Sequence, residues 1–435
     1  MIQTPATSPV PKTETIAEVV DIAPVWAGHS VGFKLLTHGD QQFVAFYDAN
    51  RHMTIGQRTL GEKSFRLTRL DTQVVWDSHN YIDMAVDDEG YLHVSGNMHV
   101  VPLIYFRSTR PLDASSLERV EQMTGELESR MTYPRFFRGP KRELLFAYRD
   151  GGSGNGNEIY NVYDLPSRTW RRLLDQPLFD GQGERNAYSS LPTLGPDGFY
   201  HVVWVWRESP DASTSNNPSY ARSRDLVHWE DSQGEALRLP ITRQTGDIID
   251  PVPEKGGVIN GNVKLGFDTQ KRVIVSYHKY DAKGHTQIFN ARSENGAWNI
   301  TQTSDWDFRW DFGGNGTLAF EVGLGGVQVG AGGVLTQTFR NKKDGAGTWI
   351  LDPQTLKPIG KIPPAPGYPP SIAKVESNFP GMVMAWGVDA GSTDEAGARY
   401  VMRWETLPSN RDKPREEPLP PASMLRLYKL KKVAG

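Results

Sequence analysis

The chain has 435 residues, with Lys+Arg 48 against Asp+Glu 51 and a formal net charge of −3, so it lacks the basic footprint of a nucleic-acid binder. It contains no cysteine, which excludes disulfides, thiolate metal sites and a cysteine nucleophile. Charged residues at 23% and apolar residues at 38% describe a folding globular chain rather than a disordered one, and no stretch reaches the roughly 18 apolar residues of a membrane span.

Residues 1–20 read as a flexible leader and 21–435 as a single domain. The start, Met-Ile-Gln-Thr-Pro-Ala-Thr-Ser-Pro-Val-Pro-Lys, has neither a basic opening nor an apolar core, so it is not a signal peptide. It is like the polar, proline-rich spacer that follows a signal already removed. That predicts a secreted or periplasmic protein, with a cytoplasmic enzyme as the alternative.

From about Ala23 the chain reads as short strands. QFVAFY (42–47), YLHVS (91–95), ELLFAY (143–148), FYHVVWVW (199–206) and RVIVSY (272–277) are β-branched and aromatic runs of strand length. Asp and Gly precede most of them, as at Asp88-Glu89-Gly90 and Pro196-Asp197-Gly198, where they supply hairpin turns. Asp-Asp-Glu-Gly-Tyr-Leu-His-Val at 87–94 matches Pro-Asp-Gly-Phe-Tyr-His-Val at 196–202, and a spacing of about 50 to 75 residues is that of a four-stranded propeller blade. Ser223-Arg224-Asp225-Leu226-Val227-His228-Trp229 reads as a degenerate Asp-box, with weaker copies at Pro166–Trp170 and Glu294–Trp298. The predicted fold is therefore an all-β, seven-bladed β-propeller, from about 400 structured residues at about 57 per blade. Leu112–Leu127 has some helical spacing. Residues 409–422 read as a charged, proline-rich connector. The last segment, from Met424, reads as a strand that could pair with the N-terminal one and close the ring.

Several segments resemble the BNR-repeat propellers of polysaccharide degradation. They are Trp76-Asp77-Ser78-His79-Asn80, Gly96-Asn97-Met98-His99, Tyr105-Phe106-Arg107-Ser108, Thr132-Tyr133-Pro134-Arg135-Phe136, Tyr148-Arg149-Asp150-Gly151-Gly152, Asn186-Ala187-Tyr188 and Trp204-Val205-Trp206-Arg207. The likeness covers roughly residues 25–405. It implies one scaffold with two chemistries: ulvan lyases and L-rhamnose-α-1,4-D-glucuronate lyases, and glycoside hydrolase family 145 α-L-rhamnosidases. Both handle a rhamnose–glucuronate linkage, on opposite faces of the propeller. The rhamnosidases resembled depend on a histidine in the first segment, here Val25-Trp26-Ala27-Gly28-His29-Ser30, where the lyases are expected to carry Gln. On His29 the expected activity is an exo-α-L-rhamnosidase cutting terminal L-Rha-α-1,4-D-GlcA of arabinogalactan-type polymers.

The alternative is β-elimination. It needs a cation to neutralise the uronate carboxylate, a base for the C5 proton and an acid for the leaving oxygen. By resemblance His79 and His99 match the lyase pair, with Tyr188 and Arg207 as nearest matches to its Tyr and Arg. Arg149, Arg207 and His278 are the expected substrate-binding residues, since a guanidinium suits a carboxylate. The same resemblance implies a histidine near Asn216 in relatives, which this chain lacks. His93 and His201, at matching strand positions, read as blade packing. Ordinary glycosidases use paired carboxylates; Glu128, Glu208, Asp311 and Glu321 are present without a readable pairing. A non-catalytic carbohydrate-binding propeller and a sialidase using Arg149, Arg207 and Arg309 complete the alternatives. No HExxH or close histidine cluster suggests a metal, and no cofactor, nucleic acid or membrane partner is expected. The expected partner is a polysaccharide or oligosaccharide containing rhamnose and glucuronic acid.

Overall fold

The computed structural model describes residues 14–432, except 365, 392 and 394. Its described strands fall into seven antiparallel sheets. One sheet joins the two ends of the chain: Glu14–Val25 pairs with Ser423–Lys432, followed by Ala398–Thr406 and Val383–Val388. The register runs from Glu14 opposite Lys432 to Val25 opposite Ser423, so the predicted terminal pairing holds. The leader expected over residues 1–20 is corrected at residues 14–20, which belong to the strand Glu14–Val25; residues 1–13 lie outside the described residues.

The other sheets follow in chain order. Four meanders begin at Lys34–His38, Ile82–Val86, Met131–Arg138 and Asn186–Ser189, and two more at Lys264–Phe267 and Val322–Leu324. Successive sheets pack through these first strands: Lys34–His38 touches both Val383–Val388 and Ile82–Val86, which in turn meets Met131–Arg138. The all-β propeller expected from the repeats is the observed fold. The predicted helical spacing over Leu112–Leu127 yields only a one-turn 3₁₀ element, Ala114–Ser116, capped by Asp113; the apolar residues of that stretch pack onto neighbouring strands instead.

Repeated residues do repeated work. The strands Gln41–Tyr47, Leu144–Gly152 and Tyr200–Arg207 are buried along most of their length, because each is covered on both faces by adjacent sheets. His93 accepts or donates through Nδ1 to the Tyr105 hydroxyl at 2.7 Å and through Nε2 to Asp87 at 3.2 Å. His201 does the same with Tyr220 at 2.7 Å and Asp197 at 2.9 Å. Burial, partly offset by the aspartate, holds both imidazoles below their ordinary pKa. They pack the blades, as their matching positions predict. In the Asp-box, Asp225 accepts from the amides of Val227 and His228 at 2.9 and 2.8 Å, while Trp229 is buried. Trp170 lies across the gap to the preceding sheet, against His93 and Tyr105.

Candidate active site

His79 lies in the connection between Arg66–Gln73 and Ile82–Val86, which belong to two sheets, and His99 opens the short strand His99–Val101 on a third, paired with Met131–Arg138, yet their rings stack 4.2 Å apart. Asp77 gathers them: its Oδ1 lies 2.6 Å from His79 Nδ1 and its Oδ2 meets His99 Nδ1. Burial opposes ionisation of Asp77, but hydrogen bonds from the two histidines and their charge hold its carboxyl well below the usual range. An ionised carboxylate only accepts, so both Nδ1 atoms donate and each Nε2 is left as the working nitrogen. The three residues also offer one ligand atom each within 4.8 Å, part of a metal-like arrangement that sequence spacing did not suggest.

Backbone strain marks the same place. Asn97 at φ 59°, Val100 at φ 58° and Tyr133 at φ 60° are left-handed without being glycine. For β-branched Val100 and bulky Tyr133 that conformation is a true outlier, and such strain gathers at functional sites. Val100 N is secured by Thr132 Oγ1 at 2.9 Å, which turns His99 towards the site.

Tyr133 connects the histidines to the second half of the site. Its ring lies 5.6 Å from that of His79 and 6.3 Å from that of Tyr188. Tyr188 is the hub. Its hydroxyl meets Arg149 Nη1 at 3.4 Å, Arg207 Nη1 at 3.3 Å and Ser153 Oγ at 2.6 Å, and both guanidiniums lie over its ring. Burial raises the pKa of Tyr188, but the charges of Arg207 and Arg149 outweigh it and leave the phenol below its ordinary value. Tyr133 lacks that balance, and burial pushes its phenol up. Arg149 Nε is tied to Gly151 O at 3.1 Å and Arg207 Nη2 to Asn260 Oδ1 at 2.8 Å, so each fork is fixed before substrate arrives. Arg149, Tyr133, Tyr188, Asn186, Asn260 and Lys264 line a cavity of about 320 Å³, and among the described residues Arg149 Nη2 finds no acceptor.

The structure therefore brings together His79, His99, Tyr188, Arg149 and Arg207. It does not separate His29 from them. The expectation of His29 on an opposite face is corrected: its Nε2 is 3.6 Å from Asp412 Oδ1, and the other oxygen of Asp412 is 3.6 Å from His79 Nδ1. His29 is wedged near Trp26 and Trp76, and its side chain is 0% exposed. It cannot touch a sugar without local rearrangement.

His278 is also corrected as a substrate-binding residue. It is 0% exposed and packs against Trp310 and Phe312. Burial lowers its pKa from 6.5 to about 4. An unfolded chain then binds a proton that the folded one refuses, so stability is complete above pH 6.5 and falls as pH drops towards 4. The wild type should lose about 3 kcal/mol over that window from this group. Urea unfolding across pH should show a flatter acid slope in His278→Gln; an unchanged slope would contradict the assignment.

The remaining sequence candidates lie elsewhere. Glu208 pairs with Arg185 at 2.8 Å, Asp311 with Arg309 at 3.4 Å and Glu321 with Lys342, while Glu128 accepts from Thr124 and Met123. Each is engaged by its own partner rather than by another of the four. Arg309 stacks on Tyr280 at 3.7 Å, away from the other two arginines of a sialidase-like triad. Asn216 is buried and donates to Glu208. The residues missed from sequence are Asp77 and Asp412. Asp77 stood inside a quoted motif, but its role depends on where His99 lies in space.

Residues 41–306 match the BNR repeat-containing family, and the chain belongs to it. More particularly, it is 36% identical over 163 residues to the short isoform of ulvan lyase from Alteromonas sp. (strain LOR), covering 32% of this chain and 30% of that protein. It is 27% identical over 135 residues to a long isoform from Pseudoalteromonas sp. (strain PLSV), covering 27% of this chain and 13% of that one. The chain thus spans under a third of these relatives in the matched part. In fold it is similar to the polysaccharide lyase Uly1, with a TM-score of 0.61 and 14% identity over 96% of this chain and 100% of that one. It is also similar to a PL25 ulvan lyase, with a TM-score of 0.60 and 12% identity over 95% of each chain. Among the described residues no helix is long and apolar enough to cross a membrane.

Proposed function

We propose that this protein is a polysaccharide lyase that cleaves a glucuronate–rhamnose polymer by β-elimination. The observation that carries this reading is the Tyr188 hydroxyl held between two guanidiniums at the wall of a cavity. The named relatives, ulvan lyases, support it, and a PL25 ulvan lyase of the same fold has been seen bound to -[GlcA(1-4)Rha3S]-. The rhamnosidase reading placed first from sequence gives way, because the named relatives are lyases and His29, unlike Arg149 and Tyr188, does not line the cavity. We take each of the seven sheets as one blade, and a secreted or periplasmic location belongs to the same proposal, since the substrate is a polymer.

The chemistry follows from the charges. Arg149 and Arg207 pair with the uronate carboxylate and neutralise it, which makes the C5 proton acidic. The tyrosinate form of Tyr188, favoured by the same two cations, takes that proton. The C5–H electron pair becomes the C4–C5 double bond and the C4–O bond breaks. The departing oxygen takes the Nε2 proton of one histidine of the pair in its imidazolium form, which is left neutral with its other proton on Nδ1, held by Asp77. His79 or His99 can supply it, since 20% and 28% of their side chains are exposed.

Incubation with ulvan and, separately, with a rhamnose-capped arabinogalactan tests the proposal. The expected product is an unsaturated uronate with ultraviolet absorbance and no matching release of free rhamnose. Free rhamnose without new absorbance would restore the hydrolase reading; binding with neither product would make the protein a carbohydrate-binding propeller.

A further inference from the structure

The connector at 409–422 does more than join two strands of the closing sheet. Arg411 and Asp412 are consecutive left-handed residues, at φ 53° and 56°, a conformation that non-glycine residues hold only when their surroundings enforce it. Arg411 Nη1 donates to Gly313 O at 2.8 Å and to Asn315 O at 3.2 Å. Asp412 Oδ2 accepts from Thr317 N at 2.7 Å and Thr317 Oγ1 at 2.9 Å. Its Oδ1 accepts from Ser78 N at 3.0 Å and Ser78 Oγ at 2.9 Å. One carboxylate thus fastens three segments that are remote in sequence, and one of them is the residue preceding His79.

Four hydrogen bonds fix the carboxylate, yet its remaining contacts are with imidazoles: His79 Nδ1 and His29 Nε2, each at 3.6 Å. The titratable groups around His79 are Asp77, Asp412, His99 and Tyr133, with Arg149 beyond Tyr133. Two of these are carboxylates on the Nδ1 side of the ring. Burial disfavours the charge on Asp412, but His29, the Ser78 and Thr317 amides and His79 hold it ionised.

We propose that Asp412 is a positioning residue of the active site: it clamps the 77–79 segment and sets a second carboxylate beside His79 Nδ1. The proposal rests on the elimination reading for its kinetic consequence, though not for its structural one. With Asp77 and Asp412 both on the Nδ1 side, one ring proton stays there, and the imidazolium form can hand its Nε2 proton to the leaving oxygen and be left as the neutral Nδ1–H ring. His29 is the buried neighbour of the same carboxylate, its Nε2 3.6 Å from Oδ1.

Asp412→Asn keeps the shape and removes the charge. It should lower kcat about tenfold to a hundredfold, with KM changed by less than about twofold, because a misplaced proton donor costs about that much. Asp412→Glu should recover part of the loss. Thr317→Val takes the hydroxyl away from both Asp412 and Ser78 but keeps the carboxylate, and should cost clearly less than Asp412→Asn. With isotope-labelled histidine, the His79 and His29 signals should shift in Asp412→Asn while His93 and His201 stay in place. Wild-type kcat in Asp412→Asn, or unmoved His79 signals, would overturn the proposal, as would an equal loss in Thr317→Val. Should Asp412→Asn fail to fold, the comparison of Asp412→Glu with Thr317→Val still decides. If the wild type forms no unsaturated product, the elimination reading fails, and the histidine spectrum alone judges Asp412.

Discussion

Tyr188→Phe should abolish unsaturated-product formation, by about 10³-fold in kcat, since positioned proton transfer contributes on that order. The substitution removes one oxygen and leaves the ring between Tyr133 and the two arginines, so the fold should survive and KM should move little. The loss corresponds to about 4 kcal/mol of transition-state stabilisation. Steady-state absorbance assays beside a thermal melt measure both quantities. A variant with more than about a tenth of wild-type kcat would remove Tyr188 from the role of base.

Arg207→Met should cost about 10²- to 10³-fold in kcat/KM, the range for losing one preorganised charge partner. Its second effect has a definite sign. In the wild type Arg207 and Arg149 hold the Tyr188 phenol below its ordinary value against the pull of burial. The base works deprotonated, so activity rises with pH through that pKa. Removing Arg207 leaves burial less opposed and moves the rising limb to higher pH. A pH–rate profile of the variant checks this; a limb that stays in place, or moves down, would contradict the assignment. The Arg207 and Tyr188 substitutions should not add, because the residues share one hydrogen bond at 3.3 Å.

Much of the architecture was legible because it repeats. The runs at 42–47, 143–148, 199–206 and 272–277 became Gln41–Tyr47, Leu144–Gly152, Tyr200–Arg207 and Val273–Tyr280. Aspartates at the turns made the expected bonds to amides two and four residues on, as Asp87 does to Glu89 and Tyr91. These are local rules, set by side-chain shape and by a carboxylate within reach of its own backbone. The helical reading of Leu112–Leu127 failed because packing onto neighbouring strands outweighed a weak local preference.

The site was legible only in part. His79, His99, Arg149, Tyr188 and Arg207 stood in recognisable segments, and the structure gathers them. His29 stood in one as well, but burial is a tertiary property and residue type does not announce it. His278 misled for the same reason. Asp412 offered no signal at all, lying 334 positions from Ser78, whose amide it binds, in a segment with the composition of a linker.

The sequence by itself determined an all-β propeller closed by its own ends, and a set of residues suited to uronate chemistry. Only the tertiary structure decided which of them meet. It placed Asp77 between two histidines, set two guanidiniums on one phenol, and buried His29 behind Asp412 rather than on a separate face. Strand identity depends on neighbours a few residues away, whereas the charge balance at Tyr188 depends on guanidiniums from its own sheet and the adjacent one, and Asp412 reaches Ser78 across 334 positions.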